Sequence, residues 1–76
     1  MNKGARARLR DLVGSLSEMK DFLEIEIDEL QEKCDNIPES FEQRREQLEE
    51  EIYALTEAQD NLEEAISTIE DQIGEA

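Results

Sequence analysis

The sequence contains no histidine, one cysteine, one proline and only 4% aromatic residues. Histidine is the commonest general base and metal ligand, so its absence excludes Ser-His-Asp triads and di-metal sites built on Glu-x-x-His. The sequence also has no nucleophile beside a base and no glycine-rich phosphate loop. We therefore expect a protein that is not an enzyme and has no catalytic residues, no cofactor and no metal site.

Cys34 is the single cysteine, so a disulfide within the chain is impossible, although one between two copies remains open. A lone cysteine is typical of a reducing compartment. No apolar run is long enough to cross a bilayer or to resemble a signal peptide. We expect a cytoplasmic protein that does not use a membrane as a partner.

The chain is rich in charge, with 22 acidic and 8 basic residues among 76 and a net charge of −14. A charge of this size is compatible with disorder. The apolar residues nevertheless recur at intervals of three and four residues, and a disordered polyelectrolyte has no reason to keep such a period. The pattern therefore predicts an all-α fold.

A single turn around Pro38, the only proline, separates two segments with helical periodicity. We predict one domain over 1–76, with a first helix over about 5–33, a turn over about 34–37 and a second helix over about 38–73. Asn36 would cap the second helix, Glu39 would complete a capping box, and Pro38 would lie in the first turn. Ser40 with Gln43 offers an alternative, slightly later start.

The second helix carries an apolar stripe at alternating three- and four-residue steps, the heptad pattern of coiled coils. Its packing residues are Phe41, Leu48, Ile52, Leu55, Leu62, Ile66, Ile69 and Ile73. Arg45 and Gln59 are polar members of the same stripe. The outer surface forms a candidate acidic face of Glu49, Glu50, Glu57, Glu63, Glu64, Glu70 and Asp71. Ala58 and Ala65 flank the stripe and would let another helix approach closely.

The first helix has a looser stripe. Its packing residues are Leu9, Leu12, Leu16, Met19, Leu23, Ile27 and Leu30, followed by Cys34. The four-residue step from Leu23 to Ile27 predicts a stutter that relaxes the supercoil locally. Gly14 costs about 1 kcal/mol relative to alanine, and Ser15 to Glu18 forms another capping box, so a helix that begins at Ser15 is an alternative to a continuous one.

A connection of about four residues forces the two helices into an antiparallel hairpin. In this arrangement Arg45 would lie opposite Ile27 and form a salt bridge with Glu26 or Glu29. The alternative is that its guanidinium extends past the stripe into water. Gln59 among aliphatic neighbours would also help to fix the register.

One hairpin of this size buries little apolar surface against the conformational entropy that folding removes. We therefore predict a homodimer, most simply an antiparallel four-helix bundle. The candidate dimer contacts are Val13, Phe22, Ile25, Ala58 and Ala65. The alternative is that Phe22 and Ile25 are isolated exposed apolar residues.

The charge is unevenly distributed along the chain. Four basic residues without any acid occupy the first ten positions, and residues 11–76 carry a net charge of −18. The basic residues are Lys3, Arg6, Arg8 and Arg10. In a hairpin they would lie beside acidic residues near the end of the second helix, which favours internal neutralisation by Glu63, Glu64, Glu70 and Asp71. The alternative is a hook for a partner, although the acidic remainder would repel phosphate, so we expect no direct binding to nucleic acid.

The candidate acidic face has two interpretations. It is either a solvated exterior that keeps the protein soluble, or an array of carboxylates that imitates a phosphate backbone and binds a basic cleft. Metal binding at Glu49-Glu50-Glu51 is disfavoured, because consecutive helical residues point about 100° apart and no EF-hand loop is present.

Two segments resemble a known group of proteins. The turn Asn36-Ile37-Pro38-Glu39-Ser40 and the Glu-rich heptad helix with Asn61-Leu62-Glu63-Glu64-Ala65-Ile66 are similar to small uncharacterised acidic helical proteins of bacteria and their phages. The resemblance covers the second half of the chain and implies a mobile-element context, in which small acidic proteins act as inhibitors or accessory factors. It brings no activity and no site residues.

Two hypotheses follow for the function. The first is a non-enzymatic protein–protein interaction module, a self-associating acidic hairpin whose partner is its own copy or another protein. The second is a phage- or mobile-element-type inhibitor that mimics nucleic-acid charge and blocks a basic site on a nucleic-acid-binding protein.

Overall fold

The protein is a helical hairpin. A computed structural model describes residues 1–74 and contains helix α1 over Lys3–Asn36 and helix α2 over Glu42–Gly74. The two helices lie side by side along a rod whose Cα atoms span 59 × 14 × 12 Å. The predicted all-α hairpin is confirmed. Neither helix has a stretch apolar and long enough to cross a membrane within the residues that the structure describes.

Helix α1 is continuous and capped. The side chain of Asn2 accepts a hydrogen bond from the Ala5 amide at 2.8 Å, which satisfies one of the free amides of the first turn. The helix passes through Gly14 without interruption, so its start lies at Lys3 and not at Ser15. Lys33 stands in the last turn, where a positive charge interacts favourably with the helix dipole.

The turn lies later in the chain than its predicted position. It covers residues 37–41, and Asn36 is the last residue of α1 rather than the cap of α2. Pro38 lies in the turn, where its carbonyl accepts a hydrogen bond from the Phe41 amide at 3.0 Å. Proline disfavours helical geometry in the residue before it, and Ile37 is indeed extended, so α1 continues up to this residue and stops there.

The inward positions of α1, which we call its seam, form a strict heptad series. The half-buried or buried residues at alternating three- and four-residue steps are Arg6, Leu9, Val13, Leu16, Lys20, Leu23, Ile27, Leu30, Cys34 and Ile37. The predicted stutter is therefore wrong. Leu12 and Met19 were expected in the seam and are instead 45% and 55% exposed. They precede Val13 and Lys20 by one position, which turns them about 100° away from the partner helix.

The seam of α2 follows the predicted heptad. Leu48 and Ile66 are buried, and the half-buried members are Arg45, Ile52, Leu55, Gln59, Leu62, Ile69 and Ile73. Phe41 was expected to belong to this series but is exposed, because it lies in the turn before α2 begins. Its carbonyl accepts the first hydrogen bond of α2, from the Arg45 amide at 3.0 Å.

The register differs from the predicted one because the turn lies later. Arg45 lies near Ile37 instead of Ile27, and its guanidinium donates to the Ile37 carbonyl at 3.0 Å. The expected salt bridge to Glu26 or Glu29 does not form among the described residues. Polar contacts at mid-rod mark the actual register: Gln59 Nε2 donates to the Lys20 carbonyl at 3.4 Å, and Lys20 Nζ lies 3.7 Å from Glu63 Oε1.

Candidate interaction surface

The two long sides of the hairpin differ. On one side, Met19 and Phe22 of α1 line a groove together with Leu62 of α2. We call this side the front face. We define it by Leu12, Met19, Phe22, Ala58 and Ala65, each of which comes directly before a seam position in the sequence. On the other side, Arg10 of α1 lines a groove with Glu70 of α2. We define this back face by Ser17, Glu24, Gln31, Thr56, Glu63 and Glu70, each of which directly follows a seam position.

The front face exposes large apolar side chains at mid-rod. Phe22 is 60% exposed, and it stands one helical turn from Met19 on the same flank of α1. The groove beside them encloses about 600 Å³ and is lined by Ser15, Glu18, Met19, Phe22, Leu23 and Leu62. Across the seam, the side chains of Ala58 and Ala65 are small, so the surface of α2 projects little on this face. The result is a shallow apolar strip along two helices.

The six residues that define the back face are polar, and Tyr53, 74% exposed after the seam residue Ile52, is the large apolar exception on this side. Its members carry hydroxyl, amide or carboxylate groups, and its grooves contain charged residues from both helices. The ion pair between Lys20 and Glu63 opens towards this side, with the Glu63 side chain 66% exposed. A two-helix layer with one apolar and one polar face has the pattern expected of half a bundle.

The predicted dimer contacts separate into three groups. Phe22 lies on the front face with Ala58, which is half-buried, and Ala65, which is exposed. Val13 is a seam residue that packs within its own hairpin. Ile25 is exposed on the outer edge of α1, because the three-residue step from Phe22 turns it about 60° farther from the seam.

Sequence reasoning missed Leu12 and Met19 as front-face residues. It placed them in the seam because both are large and apolar and both continue a plausible three- and four-residue series. The signal that could have found them is the phase set by Leu23, Ile27 and Leu30. Extended backwards in strict heptads, that phase selects Lys20 and Val13 instead.

The candidate acidic face lies away from the front face. Each of its seven residues is exposed, and they occupy the back and outer sides of α2. Association through the front face would therefore leave these carboxylates in solvent. Within residues 1–74, no group of three or more potential ligands is placed to hold a metal ion.

The basic N-terminal segment has no direct acidic partner within residues 1–74. The one ion pair in this part of the chain joins Lys20 and Glu63. The Arg6 guanidinium donates instead to the Met1 carbonyl at 3.1 Å. Internal neutralisation by the acidic residues near the end of α2 was predicted, and it does not occur through direct contacts among the described residues.

Comparison with known proteins adds no assignment to this geometry. No family model, no curated protein and no solved structure matches the chain. The resemblance to small acidic proteins of bacteria and phages stays a prediction.

Proposed function

We propose that the protein is a non-enzymatic interaction module that associates with a second copy of itself through the front face. The observation that carries this proposal is the contrast between the two sides of one thin layer. Leu12, Met19 and Phe22 stand largely in solvent on the front, whereas the back carries one large exposed apolar side chain, Tyr53. A contiguous exposed apolar patch on one side of a layer indicates an interaction surface, whereas apolar residues without such a role would be scattered over both sides.

One whole side of the rod is large enough for a dimer. Its projection, 59 × 14 Å between Cα atoms, is roughly 800 Å² per copy, the area that one partner contributes to a standard stable interface, and the apolar front face occupies the middle of it. The single hairpin also has few buried apolar residues within residues 1–74, namely Cys34, Leu48 and Ile66. A second layer on the front face would cover the open side of both seams and form a four-helix bundle.

Light scattering at two protein concentrations tests the proposal. The chain has a mass of 8.8 kDa, and we expect a particle of about twice that mass at the higher concentration. Phe22→Glu places a charge in the front face and is expected to give a monomer. Ile25→Glu is the matched control, because Ile25 is 56% exposed on the same helix but lies off the front face. It should leave the dimer intact.

A wild-type protein that stays monomeric at both concentrations would refute self-association. Equal loss of the dimer in the Phe22→Glu and Ile25→Glu variants would show that charge in general, and not the front face, controls assembly. Circular dichroism of both variants checks that the helices persist.

The exposed carboxylates favour a second function that is compatible with the first. The seven residues of the candidate acidic face remain in solvent when the front face is covered, so a dimer would present two acidic arrays. We propose as the alternative that these arrays occupy a basic site on a nucleic-acid-binding protein, in a cytoplasmic, phage-related setting.

Capture experiments distinguish this inhibitor function from simple self-association. The immobilised protein is expected to retain a nucleic-acid enzyme from a bacterial lysate at low salt, and to release it at high salt or when duplex DNA is added. The E49Q/E50Q/E57Q variant should retain less of it, whereas Ile25→Glu should retain as much as wild type. Retention that DNA does not reverse would contradict mimicry.

A further inference from the structure

We infer that the two hairpins of the dimer place their turns at opposite ends of the bundle, so that the basic N-terminal segment of each copy lies against the acidic turn half of the other. This inference rests on the proposed self-association and specifies its geometry. The competing arrangement, also a two-fold dimer, places both turns at the same end. Apolar contact and charge must be examined separately to decide between them.

The apolar strip lies near the middle of the rod. Helix α1 runs from Lys3 to Asn36, so its midpoint is near Met19, and the strip from Leu12 to Phe22 is centred within a few residues of it. Ala58 and Ala65 lie at the same level, because the neighbouring Gln59 bonds to the Lys20 carbonyl. A two-fold axis through this level brings strip onto strip in either arrangement. Apolar burial therefore does not choose between them.

Charge does choose. The turn half of the rod, residues 20–59, holds 14 acidic and 4 basic side chains and carries a net charge of −10. The terminal half, made of all other residues, carries a net charge of −4 and contains the four-fold positive N-terminal segment. If both turns lay at the same end, the turn half of one copy, with a net charge of −10, would lie against the equally charged turn half of the other. Turns at opposite ends place −10 against −4 at each end of the bundle, which reduces the repulsion.

The local partners of the basic segment support the same choice. Screening limits these interactions to about 8 Å at physiological salt, so residues at the same level of the rod decide them. Lys3, Arg6, Arg8 and Arg10 have no carboxylate within 4.0 Å among the described residues of their own chain. With opposite turns they reach the level of the partner's turn. The carboxylates there are Asp28, Glu29, Glu32, Asp35, Glu39 and Glu42, against the three cations Lys33, Arg44 and Arg45.

Distances between spin labels test the arrangement. In a Cys34→Ala background, single cysteines replace Asp21 or Asp35, which occupy the same heptad position away from the front face, so each dimer carries two labels. With opposite turns, a rise of 1.5 Å per residue makes the separation along the rod axis about 40 Å larger for the two Asp35 labels than for the two Asp21 labels, so the measured distance between the Asp35 labels is clearly the longer one. With turns at the same end, the two pairs show the same separation.

The possible results separate the two proposals. A larger Asp35 separation supports the inference. Equal separations in a dimer overturn it and leave self-association standing. A monomer by light scattering, with wild-type protein as reference, refutes self-association itself and the inference with it.

A second measurement avoids substitutions and applies even if Cys34→Ala impairs folding. Wild-type protein is mixed from unlabelled and 15N-labelled chains and treated with a zero-length reagent that joins amines to carboxylates. Mixed-isotope links from Lys3 to Glu39 or Glu42 are expected. A dimer that yields mixed-isotope links only between residues of the two terminal halves would overturn the inference.

Discussion

The two helices use their apolar residues differently. Helix α1 exposes four large apolar side chains, Leu12, Met19, Phe22 and Ile25, whereas within residues 42–74 helix α2 exposes one, Tyr53. Both helices contribute a complete heptad seam to the hairpin. The apolar residues of α2 are therefore almost entirely used by that one interface. Helix α1 carries a surplus, and three of its four members lie on the front face.

This difference divides the expected effects of substitution. A change at the buried seam positions of α2, Leu48 and Ile66, acts on the fold of each chain, because these side chains pack inside the hairpin. A change in the surplus of α1 acts on association, because these residues make few contacts within the hairpin. The following predictions test that division, beginning with the largest effect.

Leu48→Ala is expected to destabilise the protein most. Leu48 is 1% exposed, and removing buried leucine atoms without filling the space costs about 2–5 kcal/mol. Urea unfolding followed by circular dichroism measures the loss, at one fixed protein concentration because the proposed association would contribute to stability. Tyr53→Ala is the control on the same helix and should change the free energy of unfolding very little. A loss below about 1 kcal/mol for Leu48→Ala would contradict the assignment of the seam.

Leu12→Gln combined with Met19→Gln should abolish association while the helices remain. The melting temperature of the wild-type protein is expected to rise with protein concentration, as it does for any folded dimer in equilibrium with unfolded chains. In the double variant the melting temperature should fall and lose its dependence on concentration. Ile25→Gln tests the fourth exposed apolar residue of α1 and should retain the dependence.

If Ile25→Gln removed the concentration dependence of the melting temperature and the double variant did not, association would use the side of α1 that carries Ile25 and not the front face. Two-concentration thermal melts followed by circular dichroism are sufficient for this comparison. The experiment needs no knowledge of the dimer geometry.

The same surplus explains how far the sequence predicts this structure. In α2 each stripe position from Leu48 onwards, except the polar Gln59, has one candidate that is a leucine or isoleucine, so the heptad phase was unambiguous. In α1 the pairs Leu12-Val13 and Met19-Lys20 offer two adjacent candidates, and Leu12 was chosen as the larger apolar residue and Met19 as the apolar one. A helix that serves two interfaces has two apolar stripes, and hydrophobicity alone does not say which one faces its own hairpin.

The turn was misplaced for a related reason. The capping pattern around Asn36 and Glu39 is a local signal, and it is compatible with a helix start there. The structure continues α1 through Asn36, because only Ile37 is held extended by the proline that follows. Pro38 thus identified the turn, but the local capping pattern gave the wrong bounds for it. The predicted register was wrong for the same reason, because it was counted from those bounds.

Gly14→Ala should stabilise the protein by about 1 kcal/mol, because alanine loses less conformational entropy than glycine in a helix interior. A Cβ atom at this position meets no atom within 4 Å, so the gain is not offset by a clash. Urea unfolding at fixed concentration measures it, and Gly74→Ala at the end of α2 is the matched control with a smaller expected gain. A destabilised Gly14→Ala variant would mean that another chain approaches α1 closely at this point.

Glu63→Gln should have the smallest effect, a loss of at most about 0.5 kcal/mol, because the Lys20–Glu63 pair is long at 3.7 Å and Glu63 is largely exposed. The loss should disappear in 1 M salt, where charges separated by more than about 3 Å are screened. Glu64→Gln, an exposed neighbour without this partner, provides the reference in urea unfolding. Gln59 Nε2 donates a hydrogen bond to the backbone carbonyl of the same Lys20, and that contact does not depend on the charge of the Lys20 side chain. A loss well above 1 kcal/mol would therefore mean that the ion pair, and not the interlocking of the two seams, holds the register of α1 against α2.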